Sequence, residues 1–415
     1  MSELRPRSEL RSATPGIARH GRLKRSRAWP TVLAIVAASL ATVLVSTAAV
    51  GAVVLNSLTS EIETVEFGEP DAPPIPAIGA IEGGFNILIV GSDTRLGQNG
   101  IGGSYDDESG NLNDVNILMH VSQDQTNAVV ISFPRDMVVD IPECPADDGS
   151  VKGYTTQPLN EALSAGGLNC VAMTITELTG LPIQFAGTID FTGVIAMGDA
   201  IGGVPVCVDG PIHDDNTGLV IDQAGTYTLL GVDALAFLRT REHVGDGSDL
   251  TRISSQQVYL SSLVRTLKSA GTLGDLGKVY NLSKAALQSM QLSPSLASLD
   301  TMASIALALK DIPIENVTFV QYPGFTGGDG VYAGKVEPDR ALGDELISYV
   351  AADQPFKPDP EVAHGTVADP TAPVETPDPT AETPDPTVET TDRPTLTGLS
   401  GVTADEYRCS VSNDY

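Results

Sequence analysis

Apolar and polar positions alternate differently in successive segments of this 415-residue chain. Residues 31–58, TVLAIVAASLATVLVSTAAVGAVVLNSL, run without a charge. That length predicts a helix able to cross the hydrocarbon core of a bilayer. From about 82 to 355, short apolar runs alternate with longer amphipathic ones. The short runs predict strands at 86–90, 115–121, 128–133, 182–188, 204–208 and 317–322. The longer ones predict helices at 159–178, 191–201, 232–238, 250–268 and 294–309. Gly-Gly pairs at 166–167 and 202–203 punctuate helix ends. HDDNTGLVIDQAGTYTLLG, residues 213–231, reads as a hairpin excursion. Strands interleaved with helices in this way indicate an α/β or α+β layered domain around a mostly buried sheet.

The flanks have another character. Residues 1–29 hold seven Arg and one Lys against two Glu, +6, so the rest of a chain of net charge −29 carries −35. A basic flank before an apolar span predicts a cytoplasmic N-terminus and an extracytoplasmic remainder. A cleaved signal peptide ending near Ala48–Ala49 is the alternative. The chain thus divides into a basic tail (1–29), a span (30–58), a Pro-rich spacer (59–81), a folded domain (82–355), a linker (356–396) and a short tail (397–415). The linker repeats ETPDPTA and ETPDPTV at 375–381 and 382–388. Such a tract has too few large apolar residues to fold alone and is expected to be disordered.

An exterior this acidic argues against nucleic acid as a partner. The four cysteines, Cys144, Cys170, Cys207 and Cys409, all fall in the predicted extracytoplasmic part, where disulfides persist. Cys144 and Cys170 bracket a polar loop and a helix start and are expected to form a structural disulfide. The pairing of Cys207 and Cys409 is left open. No CxxC or HExxH pattern suggests a metal site.

Cations are scarce where the chain alternates. Between residues 56 and 260 they are Arg95, Arg135, Lys152, Arg239, Arg241 and Arg252. Most stand beside a strand or helix end. Strand ends of a sheet face a common rim, where loops build sites on a rigid scaffold. Two carboxylates at that rim, Asp93 and Asp114, suit Mg²⁺ (or Mn²⁺), which accepts one or two carboxylates and completes its shell with phosphate oxygens and water. Arginine forks match phosphate oxygens in pairs. Together they predict a pyrophosphate site. Arg239 and Arg241 share a face if the chain is extended there. Arg252 and Gln256, four apart on a helix, share one too. The plain alternative is surface pairing of Arg239 and Arg241 with Glu242, Asp246 and Asp249, which contributes little. His120 inside an apolar strand is expected to be a packed core histidine.

NILIVGSDTR, SFPRDMVVDIP, LNEALSAGG, DFTGVIAMGDAIGGVPV and GVDALAFLRTREHVGDGSDLTRISSQQ stand in that order from residue 85 to about 270. The ordered set resembles the LytR-CpsA-Psr family, actinobacterial type. The resemblance implies an α/β/α sandwich around a mixed central sheet, with an apolar groove for a polyprenyl chain. It implies a membrane-anchored enzyme that transfers a glycopolymer from a polyprenyl-pyrophosphate carrier to peptidoglycan as a phosphodiester. On that reading Asp93 and Asp114 would hold Mg²⁺, and Arg95, Arg135, Lys152, Arg239, Arg241, Arg252 and Gln256 would bind the pyrophosphate. Asp114, Arg135 and Asp136 would form the catalytic group, Asp114 or Asp136 orienting or deprotonating the acceptor hydroxyl. Segments 191–206 and 255–264 are candidate groove walls. The chain departs from the family pattern at Leu112–Asn113, where an Arg-Ser or Arg-Ala pair is usual, and at Ser255, where an Arg precedes the Gln pair. Two alternatives use the same site: a polyprenyl-pyrophosphate phosphatase with water as acceptor, and a non-catalytic binder of lipid-linked pyrophosphate.

Overall fold

The computed structural model describes residues 83–94, 111–145, 150–268, 287–297, 299–362, 364–372 and 393–413, all within the unit Leu58–Tyr415. The predicted cytoplasmic tail, membrane span and spacer, Arg95, and the repeats at 375–388 lie outside those residues. Among the described residues no helix is long and apolar enough to cross a membrane.

In chain order the strands are β1 (Phe85–Ser92), β2 (Asn113–Val121), β3 (Ala128–Phe133), β4 (Phe185–Ile189), β5 (Val204–Val208), β6 (Gly225–Leu229), β7 (Met290–Leu292), β8 (Val317–Gln321), β9 (Thr366–Ala368), β10 (Gly401–Thr403) and β11 (Arg408–Ser410). The helices are α1 (Ala162–Thr179), α2 (Phe191–Ile201), α3 (Gly231–Arg239), α4 (Asp249–Lys268), α5 (Leu299–Asp311) and α6 (Arg340–Ala351). A seven-stranded sheet runs in the order β7-β4-β1-β2-β3-β8-β10. It is mixed: β1 pairs antiparallel with β2 and parallel with β4, and β3 pairs parallel with β8. Every residue of β3 (AVVISF) is buried, as expected of a strand covered on both faces.

One face of this sheet is closed. Leu88, Val90, Leu118 and Ile131 form a single core cluster with Leu168, Val171 and Ile175 of α1 and Leu346 and Val350 of α6. Phe133 stacks on Tyr322 with centroids 5.2 Å apart. The expected Cys144–Cys170 disulfide is present and ties a short strand to α1. Gly166 makes room for it, because a Cβ there would lie 2.8 Å from that of Cys144. The Gly166–Gly167 pair kinks α1 rather than ending it, whereas Gly202 caps α2 in the left-handed conformation.

The other face meets α2, α3 and α4. Behind α4 stands a second sheet in the order β6-β5-β11-β9, whose core includes Val204, Val206, Phe237 and Val258. The 213–231 excursion holds the predicted hairpin, Ile212–Asp214 with Leu219–Ile221, and then β6, which returns to pair with β5.

The C-terminal region differs from the expected linker and tail. Phe356, Leu396 and Leu399 are buried in the main core. β10 forms an edge of the central sheet against β8, and β11 joins the second sheet through β5 and β9. Cys409 is disulfide-bonded to Cys207, 202 positions earlier. Strands of three residues carry no readable periodicity of their own; distant partners create them.

Candidate active site

Between the open face of the central sheet and helices α2, α3 and α4 lies a cavity of about 540 Å³. Its walls are apolar. Ile89, Val115 and Ile117 come from the sheet, Phe191, Val194, Met197 and Ile201 from α2, and Leu235, Leu238, Tyr259, Leu260 and Leu263 from α3 and α4. Both segments expected as groove walls therefore contribute. The Tyr259 hydroxyl is pushed up to about 12 by burial, so it stays neutral. Asp190 caps α2 by accepting the N–H of Gly193 at 2.8 Å, which fixes where Phe191 enters the wall.

One end of the cavity is polar, and it carries most of the predicted residues. Asp114, Arg135, Arg239, Arg241, Arg252 and Gln256 all line it. Asp114 arrives there through a β-bulge: Gly91 pairs with Val115 but Ser92 with Asn113, leaving Asp114 as the extra residue. An extra residue re-aims its side chain, here to the same face as Val115. Arg239 ends α3 and Thr240 is extended, with its hydroxyl bonded inward to the Ala236 carbonyl at 2.9 Å. Arg239 and Arg241 both line the cavity, although Arg239 is the last helical residue and the chain leaves the helix only at Thr240, rather than running extended through both as their spacing suggested. The Arg239 guanidinium lies 4.5 Å from the centroid of the Phe191 ring, a cation–π contact that ties it to the wall of α2. Gln256 donates to the Leu238 carbonyl at 2.9 Å and so ties α4 to α3.

Asp249, at the start of α4, organises the cluster. It was grouped with surface partners in the sequence, yet only 4% of its side chain is exposed. Its Oδ1 lies 2.5 Å from Arg252 Nη2 and 3.6 Å from Arg135 Nε, and its Oδ2 accepts the backbone N–H of Arg135 at 3.2 Å. Arg135 Nη1 donates to Asp114 Oδ1 at 2.7 Å, and Arg252 Nη2 to the Asp114 carbonyl at 3.1 Å. Burial pulls both guanidiniums down. For Arg135 the carboxylates of Asp114, Asp249 and Asp136 outweigh it and the pKa rises; for Arg252 burial wins, aided by the like charges of Arg135 and Arg241, and the pKa falls. Nε of Arg135 and of Arg252 are buried and, among the described residues, have no hydrogen-bond partner. A buried donor left unmade costs about 1–3 kcal/mol, so the protein keeps donors in reserve beside an apolar cavity. The DxxR spacing of Asp249 and Arg252 was the available sequence signal, an i,i+3 pair at a helix start.

Three predicted residues stand apart from the cavity walls. Lys152 is exposed on a two-residue strand and donates to the Ser164 carbonyl at 2.8 Å. Asp136 pairs with Lys335 at 2.9 Å and lies 3.9 Å from Arg135 Nε, so it braces the arginine from behind rather than facing the cavity. Asp93 follows β1 at the rim, its Oδ1 accepting the N–H of Leu112 at 2.8 Å. Ser255 also faces elsewhere, its hydroxyl 2.6 Å from that of Ser410. His120 is a packed core residue as expected, bonded to Asn86 at 2.8 Å and Asp353 at 2.9 Å.

Two hard carboxylates, Asp93 and Asp114, flank the bulge where Ser92 pairs with Asn113. Among the described residues no group of three His, Cys, Asp or Glu ligand atoms gathers at the cavity. This donor set suits a cation that takes one or two carboxylates and completes its shell with phosphate oxygens and water, as Mg²⁺ does.

The family model of the LytR_cpsA_psr family matches residues 58–341. The chain belongs to the LytR-CpsA-Psr family. The cell wall biosynthesis protein LcpA of Corynebacterium glutamicum is 28% identical over 272 residues, 59% of this chain and 51% of LcpA. The chain thus spans about half the length of that relative. The polyisoprenyl-teichoic acid–peptidoglycan teichoic acid transferase TagT of Bacillus subtilis is 27% identical over 305 residues, 70% of this chain and 89% of TagT. In structure, a LytR-Csp2A-Psr enzyme from Actinomyces oris superposes with a TM-score of 0.52 at 21% identity, covering 70% of this chain and 96% of the other. TagT with bound octaprenyl pyrophosphate lipid gives 0.50 at 21%, covering 70% and 98%. These likenesses establish the mixed α/β fold of the LytR-CpsA-Psr family for the domain.

Proposed function

We propose that the chain transfers a glycopolymer from a polyprenyl-pyrophosphate carrier to peptidoglycan, forming a phosphodiester, as a single-pass protein of the plasma membrane with its N-terminus in the cytoplasm. The observation that carries this reading is one cavity with an apolar body and a polar end lined by Arg135, Arg239, Arg241 and Arg252, where the buried Nε donors of Arg135 and Arg252 have no hydrogen-bond partner among the described residues. Its complement is a long apolar chain with a compact polyanionic head. The names of TagT and of its octaprenyl pyrophosphate complex support the same ligand class here.

In the transfer, the acceptor hydroxyl attacks the glycopolymer-side phosphorus. A P–O bond forms to the acceptor, the bond to the lipid-side phosphate breaks, and polyprenyl phosphate leaves. Negative charge grows on that leaving phosphate, where Arg135, Arg239, Arg241 and Arg252 converge and would stabilise it without reorganising. Asp114 is the carboxylate at the cavity and the candidate to orient or accept the hydroxyl proton; Asp136 holds Arg135 in place. Asp93 and Asp114 would hold Mg²⁺, which supplies charge neutralisation on the pyrophosphate. The missing cation at 255 subtracts nothing from the mouth, because Ser255 is buried against Ser410.

The test is release of lipid phosphate from a short polyprenyl pyrophosphate by the full chain, with and without Mg²⁺ and a muropeptide. Muropeptide-dependent release is expected, falling about 100-fold in Arg135→Ala. Release that ignores the muropeptide would replace transfer with hydrolysis. Binding without release under any condition would leave a binder.

A further inference from the structure

The stretches expected to be a disordered linker and a short tail do something unexpected. Residues 364–368 and 401–413 touch both segments that deliver arginines to the cavity mouth. One is the loop after Arg241. Gly245 donates its N–H to the Val411 carbonyl at 2.8 Å, Asn413 donates to the His243 carbonyl at 3.3 Å, and Val244 bridges Ser412. The other is α4, the helix of Asp249, Arg252 and Gln256. Ser410 meets Ser255 at 2.6 Å, both hydroxyls buried. Arg265 donates to the carbonyls of Ala404 at 2.7 Å and Glu406 at 3.0 Å and stacks on Tyr407 at 4.4 Å. At the junction no space is spare. A Cβ on Gly365 would lie 3.0 Å from that of Thr251, and one on Gly245 only 2.6 Å from it; both glycines have φ near +60° (62° and 55°). The Cys207–Cys409 disulfide anchors the segment to β5.

We propose that this C-terminal segment is a positioning clasp. It fixes the arginine loop against α4, so that Arg241 and Arg252 meet the pyrophosphate head as one preorganised set. It packs on α4, which adds Tyr259, Leu260 and Leu263 to the apolar body, whereas the rest of that body comes from α2, α3 and the central sheet, so the segment should bear more on the head of the ligand than on its tail. The inference rests on the pyrophosphate reading above and adds to it the residues that hold the head site in shape.

A split between head and tail affinity tests it. Full chains carrying Cys207→Ser with Cys409→Ser, or the milder Ser410→Ala, are compared with wild type for binding of geranylgeranyl pyrophosphate and of geranylgeraniol. Cys144→Ser with Cys170→Ser, on the closed face, is the control for general destabilisation. Wild type is expected to prefer the pyrophosphate. The clasp pair should lose about tenfold of that preference and Ser410→Ala a smaller share, with geranylgeraniol affinity held within about twofold. The control pair should lower Tm and leave the preference intact. Clasp variants that keep the full preference would overturn the clasp while leaving the pyrophosphate reading standing. An equal loss in the control pair would make the segment a stabiliser only. A wild type without preference would remove the head site itself, and the clasp with it.

Discussion

The two faces of the central sheet are built from the same strands, yet they do opposite work. Leu88 and Val90 of β1 point into the closed core with α1 and α6, while Ile89 and Gly91, which alternate with them, line the cavity. The strands supply apolar residues to both sides, so the difference comes from what covers them. α1 presents Leu168, Val171 and Ile175 and fills its face. α4 presents Ser254, Ser255, Gln257, Ser261 and Ser262 as buried residues and packs between two sheets, while α2 and α3 stand off far enough to leave a cavity. Close packing stabilises the first face; the second gives up contacts and leaves the cavity open. Each face has its own disulfide, and only the one behind the cavity, Cys207–Cys409, joins the segment that grips the arginine loop.

The sharpest way to break this comparison is at Asp249, where the open face depends on a buried charge. Asp249→Ala leaves Arg252 buried beside Arg135 without its own carboxylate partner, the Asp114 carboxylate remaining on Arg135. Removing one partner of a buried pair costs about 3–5 kcal/mol. Chemical denaturation should show a loss of that size, and pyrophosphate binding should fall with it. A loss near that of an exposed pair, under about 1 kcal/mol, would return Asp249 to the surface role its sequence context suggested.

A paired substitution on β2 comes next. Leu118→Ala on the closed face should cost about 2–5 kcal/mol, through lost burial and the void it leaves. Ile117→Ala, one residue away, already borders empty space and should cost about 1–2 kcal/mol. Its larger effect should be on geranylgeraniol affinity, which Leu118→Ala should spare once corrected for the folded fraction. Equal stability losses with no change in affinity would mean that the two faces are packed alike.

How much of this was legible in the sequence follows from how local each feature is. The runs 128–133 and 204–208 coincide with β3 and β5, and 191–201 with α2, because strand alternation, the Asp190 cap and the Gly202 terminator all act within a few residues. The spacings of Arg239 with Arg241, and of Arg252 with Gln256, are local too, and all four residues line the cavity. What failed to show depends on distant partners. The bulge that turns Asp114 into the cavity is a mismatch between two strands and is written in neither alone. Lys152 looked like one of the scarce cations of the site, yet its short strand pairs at Cys144, away from the mouth. The C-terminal strands read as a tail because β10 and β11 exist only against β8 and β5.

The smallest expected effect separates the faces by acid. Asp246 stands in the arginine loop: burial alone would raise its pKa, but hydrogen bonds from Ser248 at 2.9 Å and Thr251 at 3.1 Å outweigh it and hold the pKa below the ordinary carboxylate range. Asp124, in the turn between β2 and β3, is lowered too, by its bonds to Ser122 and Thr126. A carboxyl depressed in the folded state adds stability that is present above its unfolded value, near pH 4, and is lost as pH falls through the lower folded value. Both turns should therefore hold at neutral pH and loosen in acid. Only one of them carries the cavity mouth. Asp246→Asn should flatten the acid dependence of pyrophosphate affinity below about pH 4, while Asp124→Asn should alter only the acid slope of Tm. If Asp124→Asn changed the affinity profile as much as Asp246→Asn, acid would be acting on the whole domain rather than on the loop that presents Arg241.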